Sequence, residues 1–559
     1  MNDNLATRNW AKNFLFLSLI VGSVSALAFY LLAEDRIENP ASFSPNGHQQ
    51  RDVEAIANRV DEAFRAQWQL EDIDHADSDS NLAIARRLAI GLAGTIPSLE
   101  EIRELEQQPD SNQIHWWVSR LLEDRRSSNY LAERFTRALV GVEDGPFVVF
   151  RRRRFASWIS DQIDSKLPYD QLIRQILTED GLWTDTPAVN FYTRTITLEG
   201  ENQSPDPVLL AGRTSRAFLG MRIDCLQCHD DFLGTVNLGS AEELKGGTQN
   251  DFHALAAFFA ETENSILGIR DNGSRGPYEY QLLEQDKEEP IPPAVPFNAQ
   301  LDQHDENLRK RLAQWITHPD NRPFARATVN RVWAIMTGRG LVQPVDDIPL
   351  EGPWPAAMEV LVDDFVANGF DLHRLIRVIA HTKTFGLQSV ADFEVTSKHE
   401  QSWAVFPTLR MRPDQVAGAI AQSTKLTTID STAHILTQLT KFGQENEFVT
   451  RFGDPGEDEF NDRGETVTQR LLMLNGKMVA ERLDNGLNTP AYLLGLSPNT
   501  EKVVETIYLS TLSRRPTELE KEHFVNLIEA ENNDRESKRK EIVDLYWALI
   551  NSSEFRWNH

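Results

Sequence analysis

The chain has 559 residues, with 57 Lys and Arg against 84 Asp and Glu and a formal charge of −27, a field that opposes wrapping by nucleic acid. Hydrophobic residues make up 40%, including 12 Trp and 28 Phe, enough for large cores, which excludes a disordered or collagen-like chain. Only two cysteines are present, which excludes a disulfide-stapled scaffold and a zinc-finger array.

Residues 14–33 read FLFLSLIVGSVSALAFYLLA without a charge, about 20 residues and long enough as a helix to cross a hydrocarbon core of about 30 Å. Arg8 and Lys12 precede the stretch, and Glu34, Asp35 and Glu38 follow it. This asymmetry predicts a cytoplasmic tail over 1–12, a transmembrane signal-anchor over 13–33, and a body outside the cytoplasm. The rival reading is a cleaved signal peptide at Ala26-Leu27-Ala28, against which stand the long apolar run and the bulky Phe29 and Tyr30. Both readings export the body. The first predicts a single-pass inner-membrane protein facing the periplasm or exterior.

Residues 34–50 are polar and hold two prolines and a glycine, the composition of a tether. From Arg51 the apolar residues recur at helical spacing, first in VEAIANRVDEAFRAQW and then in LAIARRLAIGLAG. Ser98 followed by Glu101 predicts a capping box. Further helices are predicted over 114–122, 130–139, 155–163 and 169–177, with breaks at Gly145-Pro146 and Lys166-Leu167-Pro168. Residues 264–305 contain Asp271-Asn272-Gly273, Gly276-Pro277 and EEPIPPAVP, which no helix accommodates. They read as a connection with a hairpin around Tyr278-Glu279-Tyr280. Helical patterning resumes over 306–559. The expected fold is mainly α, with an N-terminal anchor and two helical domains, 51–263 and 306–559, joined by a Pro/Gly-rich linker.

The most informative feature is Cys225-Leu226-Gln227-Cys228-His229. Two thiols one turn apart can add to the two vinyl groups of a haem, and the following imidazole can then reach the iron. The spacing therefore predicts one covalent haem c per chain, with His229 as proximal ligand. A thiol-exchange pair would want a βαβ setting, which the pattern lacks. A metal site would need two more ligands. A plain Cys225–Cys228 disulfide is the remaining alternative. Met221 lies one turn before Cys225, too close to swing to the opposite haem face. His253, in the helical DFHALAAFF, is the candidate distal ligand.

These residues resemble the planctomycete-type exported cytochrome-c-like domain with its habitual C-terminal partner domain of unknown function. The resemblance rests on AIARRLAIGLAGTIPSLEE, DSKLPYDQLIRQILTEDG, LGMRIDCLQCHDD and DFHALAAFF in the first region. In the second it rests on RLAQWITHPDNRPFARATVNRVWAIMTGRGLVQPVDDIP, DRGETVTQRLLMLNG and IYLSTLSRRPTELEKE. It implies a c-type haem on Cys225, Cys228 and His229, helical domains and export, and it supplies no reaction. The family continues Cys-His-Asp-His-Lys-Phe-Asp-Pro, whereas here Asp231-Phe232-Leu233-Gly234 follow Asp230, so the second histidine is absent.

Two further clusters invite a role. Arg151-Arg152-Arg153-Arg154 could meet haem propionates or an acidic polysaccharide, or start a helix and pair with internal acids. Asp346-Asp347 could do acid/base work or cap a turn. No Gly-rich phosphate loop, G-x-S-x-G or H-E-x-x-H occurs. The expected role is redox: electron transfer with a partner protein, or haem-assisted oxidation linked through the resemblance to polysaccharide breakdown. The alternative is a non-haem interaction or carbohydrate-processing scaffold.

Overall fold

A computed structural model describes residues 47–143, 150–197, 204–240, 243–429, 447–456, 459–460, 466–475, 483, 489–530 and 535–559. The predicted tail, anchor and most of the tether, residues 1–46, lie outside the described residues. Among the described residues no helix is long and apolar enough to cross a membrane.

The fold is mainly helical. Helix α1 (Gly47–Glu71) buries Val53, Ala57, Val60, Phe64 and Trp68, a stripe at three- and four-residue spacing. The Trp68 indole N–H donates to the Ser402 carbonyl at 2.7 Å. Helix α2 (Asn81–Ala93) starts at Ser80, whose hydroxyl accepts from the Ala83 N–H, and ends at left-handed Gly94. Helix α3 (Leu99–Glu106) has the predicted capping box, with Ser98 and Glu101 each accepting from the other's backbone N–H. Then come α4 (Gln113–Glu123), α5 (Arg125–Val140), α6 (Arg152–Asp164), α7 (Tyr169–Thr178), α8 (Pro207–Thr214) and α9 (Gln249–Ala256).

The Pro/Gly-rich segment folds into two small antiparallel hairpins. Strand β1 (Thr262–Ser265) pairs with β2 (Gly268–Asp271). Strand β3 (Glu279–Tyr280) pairs with β4 (Glu289–Pro290), with Tyr280 opposite Glu289, so a hairpin stands where the tyrosines predicted one. Beyond it lie α10 (Leu308–Ile316), α11 (Arg322–Thr337), α12 (Ala356–Ala367), α13 (Leu372–Ala380) and α14 (Pro413–Ser423). Helices α15 (Thr500–Leu512), α16 (Glu518–Ala530) and α17 (Arg535–Ile550) follow.

Packing does not divide at the Pro/Gly-rich segment. One continuous apolar cluster runs from Val53 to Phe406, taking side chains from both sides of it. A second cluster gathers Ile90 and Ile96 with residues from Met411 to Phe555. Helix α2 serves both, with Leu88 and Leu92 in the first and Ile90 in the second. Its close neighbour is α11, buried from Pro323 to Thr337. A Cβ on Gly91 would stand 2.6 Å from the Met336 carbonyl oxygen, so only glycine lets the two backbones approach this far.

Arg86 and Arg87 sit in the middle of α2, almost without exposure. Arg86 donates to the carbonyls of Thr511 and Phe555, both at 3.0 Å. Arg87 donates to the carbonyls of His559, Phe385 and Leu387 and to the Asp79 carboxylate. Burial pulls both guanidinium pKa values down to about 10, and both stay charged at neutral pH.

Three histidines on α4, α13 and the turn after α13 are held neutral. The rings of His115 and His381 stack with centroids 3.7 Å apart. His381 donates from Nδ1 to the Arg377 carbonyl at 2.6 Å, and its Nε2 has no hydrogen-bond partner. Burial, and then the neighbouring His115, lower His381 to about 3, while burial lowers His373 to about 4. Burial also lowers His115, outweighing its hydrogen bond to Glu54.

Two predictions follow from this packing. Gly91→Ala is expected to destabilise the fold by roughly 1–3 kcal/mol through overpacking against Met336, read as a lower urea midpoint with unchanged slope. The second concerns acid. The unfolded chain takes up protons at these histidines below about pH 6.5, whereas the folded chain resists until about pH 4 at His373 and about pH 3 at His381. Their contribution is complete above pH 6.5 and is lost as pH falls through that window. By pH 5 the loss is on the order of 2 kcal/mol for each. Urea unfolding at pH 7 and pH 5 checks it, and His381→Gln should shrink the difference.

Candidate functional site

The cysteine motif is presented by a sharply built turn. Asp206 caps α8 by accepting from the Val208 and Leu209 N–H groups at 2.8 and 3.2 Å. The helix runs on into a single π turn over Ser215–Leu219, closed by Gly220 at φ 62°. The Ser215 hydroxyl donates to the Met221 carbonyl at 2.8 Å, and the Gly220 carbonyl accepts from the Ile348 N–H at 2.7 Å. A 3-10 turn, Asp224–Gln227, follows with Cys228 at its end.

Three residues per turn divide this segment into three faces. Leu226 points into the core and is fully buried. Asp224 and Gln227 line a cleft. Cys225 and Cys228 eclipse each other on the remaining face, both exposed and both free thiols. Gly212 makes room for the turn, since a Cβ there would meet Asp224 Oδ1 at 2.6 Å. Burial, and then the charge of Asp231, push the Cys225 thiol upward, the opposite of what a reactive thiolate needs.

Helix α9 clamps the turn from behind. The Gln227 carbonyl accepts from His253 Nε2 at 3.0 Å and from Gln249 Nε2 at 3.1 Å. Since a carbonyl only accepts, His253 carries its proton on Nε2, and Nδ1 accepts from the Tyr278 hydroxyl at 2.8 Å. The ring is 0% exposed and stacks on Tyr280 at 3.6 Å. Burial lowers its pKa and keeps it neutral. With both ring nitrogens engaged, His253 braces the backbone between the two cysteines.

His229 is exposed and donates from Nδ1 to the Asp230 carbonyl at 2.7 Å, which fixes the tautomer and leaves the Nε2 lone pair available. Asp230 accepts from the Gln249 N–H at 2.7 Å. Asp231 organises the next loop by accepting from the Val236 N–H at 2.6 Å, the Leu233 N–H and the Thr235 hydroxyl, bonds that lower its own pKa. That loop leaves Phe232 76% exposed, with Leu233 and Leu244 also uncovered. The donor set fits a c-type haem: eclipsed accessible thiols, an imidazole with a free Nε2, and apolar side chains beside them. Among the described residues no group of three His, Cys, Asp or Glu is placed to hold a metal ion.

The cleft on the adjoining face has a volume of about 190 Å³. Arg213, Arg216, Arg222 and Arg331 line it together with Asp224 and Asp346. Asp346 accepts on Oδ1 from Arg222 at 2.7 and 3.0 Å and on Oδ2 from Arg216 at 3.0 and 3.1 Å. Burial would raise its pKa, but the hydrogen bonds and charges of Arg222 and Arg216 outweigh it and hold the carboxylate ionised. Asp347 is raised by burial and accepts only a long 3.4 Å bond from the Arg222 N–H. The two aspartates thus act as a clamp and a turn residue, not as an acid/base pair.

The four-arginine run sits elsewhere, at the start of α6. Arg152 is buried and donates to Glu133 at 2.8 and 3.0 Å and to the Gly141 carbonyl at 2.9 Å, so it pairs with an internal acid. Met221 is buried. Sequence patterning did not single out Gln249, Tyr278, Tyr280 or the arginines around Asp346. The tyrosines carried a signal as a predicted hairpin, whereas the arginines, spread from 213 to 331, had none.

Comparison with known families places two matches on this chain. Residues 59–264 match the PSCyt2 model, described as a protein of unknown function (DUF1549). Residues 308–528 match the PSD1 model, described as a protein of unknown function (DUF1553). The two together are the pair typical of planctomycete-type proteins, and no cytochrome c domain is shown. The interval between them, 265–307, holds the Pro/Gly-rich segment with strands β2 to β4, while β1 begins inside the first match. No curated protein and no solved structure matches the chain.

Asp346→Ala would remove the carboxylate that bridges the partly buried Arg216 and Arg222 and is expected to cost roughly 2 kcal/mol. Asp347→Asn should change stability by less than about 0.5 kcal/mol. Urea denaturation of both variants checks the assignment, and equal effects would contradict it.

Proposed function

We propose that the chain is an exported, membrane-anchored c-type haem protein with a redox role. The observation that carries the reading is the 3-10 turn, which sets the Cys225 and Cys228 thiols on one exposed face next to an imidazole whose Nδ1 is already engaged. Cys225 and Cys228 would hold the haem through thioether bonds, and His229 Nε2 would ligate the iron. The bound group supplies one-electron chemistry.

The protein's own contribution is positional. His253 and Gln249 fix the backbone of the turn through the Gln227 carbonyl. The Asp230 carbonyl orients the His229 ring for ligation through Nε2. Thiol-disulfide exchange draws no support from Cys225, whose pKa is raised. Electron transfer to a partner protein and oxidation of an extracellular substrate such as a polysaccharide both suit an exposed attachment face, and residues 13–33 would tether it to the membrane.

Full-length protein made together with cytochrome c maturation factors should give a pyridine haemochrome at one haem per chain and a haem-staining band on a denaturing gel. Cys225→Ser with Cys228→Ser should abolish the band. His229→Ala should retain the fold and lose the spectral signature of imidazole-ligated haem iron. A chain that carries no haem under those conditions and holds a Cys225–Cys228 disulfide would overturn the proposal in favour of a non-haem scaffold.

A further inference from the structure

We propose that the arginine-lined cleft beside the cysteine turn is a binding site for a small oxyanion, a carboxylate or a phosphate group. Among the described residues, Arg213, Arg216, Arg222 and Arg331 share this one cleft with Asp224 and Asp346, on a chain whose overall charge is −27. Of the two carboxylates, Asp346 has both oxygens committed to Arg216 and Arg222. Arg331 stands apart. It projects from the buried stretch Pro323–Thr337 of helix α11, is itself only 8% exposed, and lines the cleft. Among the described residues it donates no hydrogen bond and joins no ion pair. Its guanidinium nitrogens are not sealed in the core but reach the solvent of the cleft, so an oxyanion there would meet up to five N–H donors that now face water.

The rest of the cleft suits such a ligand. Phe252, Val345 and Ala217 give it apolar walls, which strengthen a charge-assisted hydrogen bond by excluding water. The Asp346 clamp holds Arg216 and Arg222 in place, so the cationic rim is organised before any ligand arrives. Arg–oxyanion pairing is bidentate and shape-selective, and Arg331 is the one donor set here without an internal acceptor.

The anion has two sources. One is a free ligand in solution, such as a sugar acid or inorganic phosphate. The other is a propionate of a haem held on the neighbouring face, because Asp224 and Gln227 of the same turn form the cleft wall. Only the second source rests on the haem proposal; the cleft's preference for an oxyanion does not.

The test is calorimetric titration of inorganic phosphate and of galacturonate into the full chain, made both with and without haem, at constant ionic strength. Binding that Arg331→Gln weakens about tenfold or more, and that the exposed Arg154→Gln leaves unchanged, supports the site. Equal binding with and without haem identifies a free ligand, whereas binding lost on haem loading identifies the propionate. Absence of binding by either anion to haem-free protein, or equal binding by Arg331→Gln, overturns the proposal. Should Arg331→Gln fail to fold, the wild-type melting temperature decides: phosphate must raise it above sodium chloride of equal ionic strength, and equal temperatures overturn the site.

Discussion

Two adjacent arginines buried in the middle of α2 are the constraint on which the fold depends. A guanidinium inside an apolar core is tolerated only when acceptors surround it. Arg86 and Arg87 find theirs on backbone carbonyls of Phe385, Leu387, Thr511, Phe555 and His559. Those carbonyls belong to segments far apart in sequence, so satisfying two side chains fixes several distant pieces against one helix. The same helix feeds both apolar clusters and meets α11 backbone to backbone at Gly91. Helix α11 in turn carries Arg331 to the cleft and packs Ala327 against Gly220, just before the cysteine turn.

The candidate site hangs from that frame by two attachments. One is the pair of donors on α9 that converge on the Gln227 carbonyl. The other is the bond between Ile348 and Gly220, reinforced by the Asp346 clamp on Arg216 and Arg222. Together they hold the turn on two faces and leave the third, bearing the thiols, to solvent. Residues 213–228 therefore reach the surface without being loose.

Much of this was legible in the sequence, and the failures have a common cause. The stripe of α1, the Ser98–Glu101 box and the Tyr278–Tyr280 hairpin are local patterns, so periodicity and capping chemistry reveal them. The Cys-x-x-Cys-His spacing is also local, and the turn places both thiols on one side as that spacing requires. What periodicity cannot express is which charges meet through space. The helical spacing around Arg86-Arg87 does not reveal that both guanidiniums lie in the core. The Pro/Gly-rich segment looks like a simple connection, yet its tyrosines enclose His253. Asp346-Asp347 reads as either an acid/base pair or a turn cap, and what the sequence does not show is that one carboxylate binds arginines 124 and 130 residues away.

The partners of Arg86 also impose an order of events in time. Its two acceptors lie 425 and 469 positions further along the chain. At roughly 5–20 residues per second, synthesis of that interval takes on the order of half a minute or more. Throughout it Arg86 lacks the two carbonyls that accept from it in the folded chain. The seat of Arg86 is therefore completed only when the C-terminal residues have emerged.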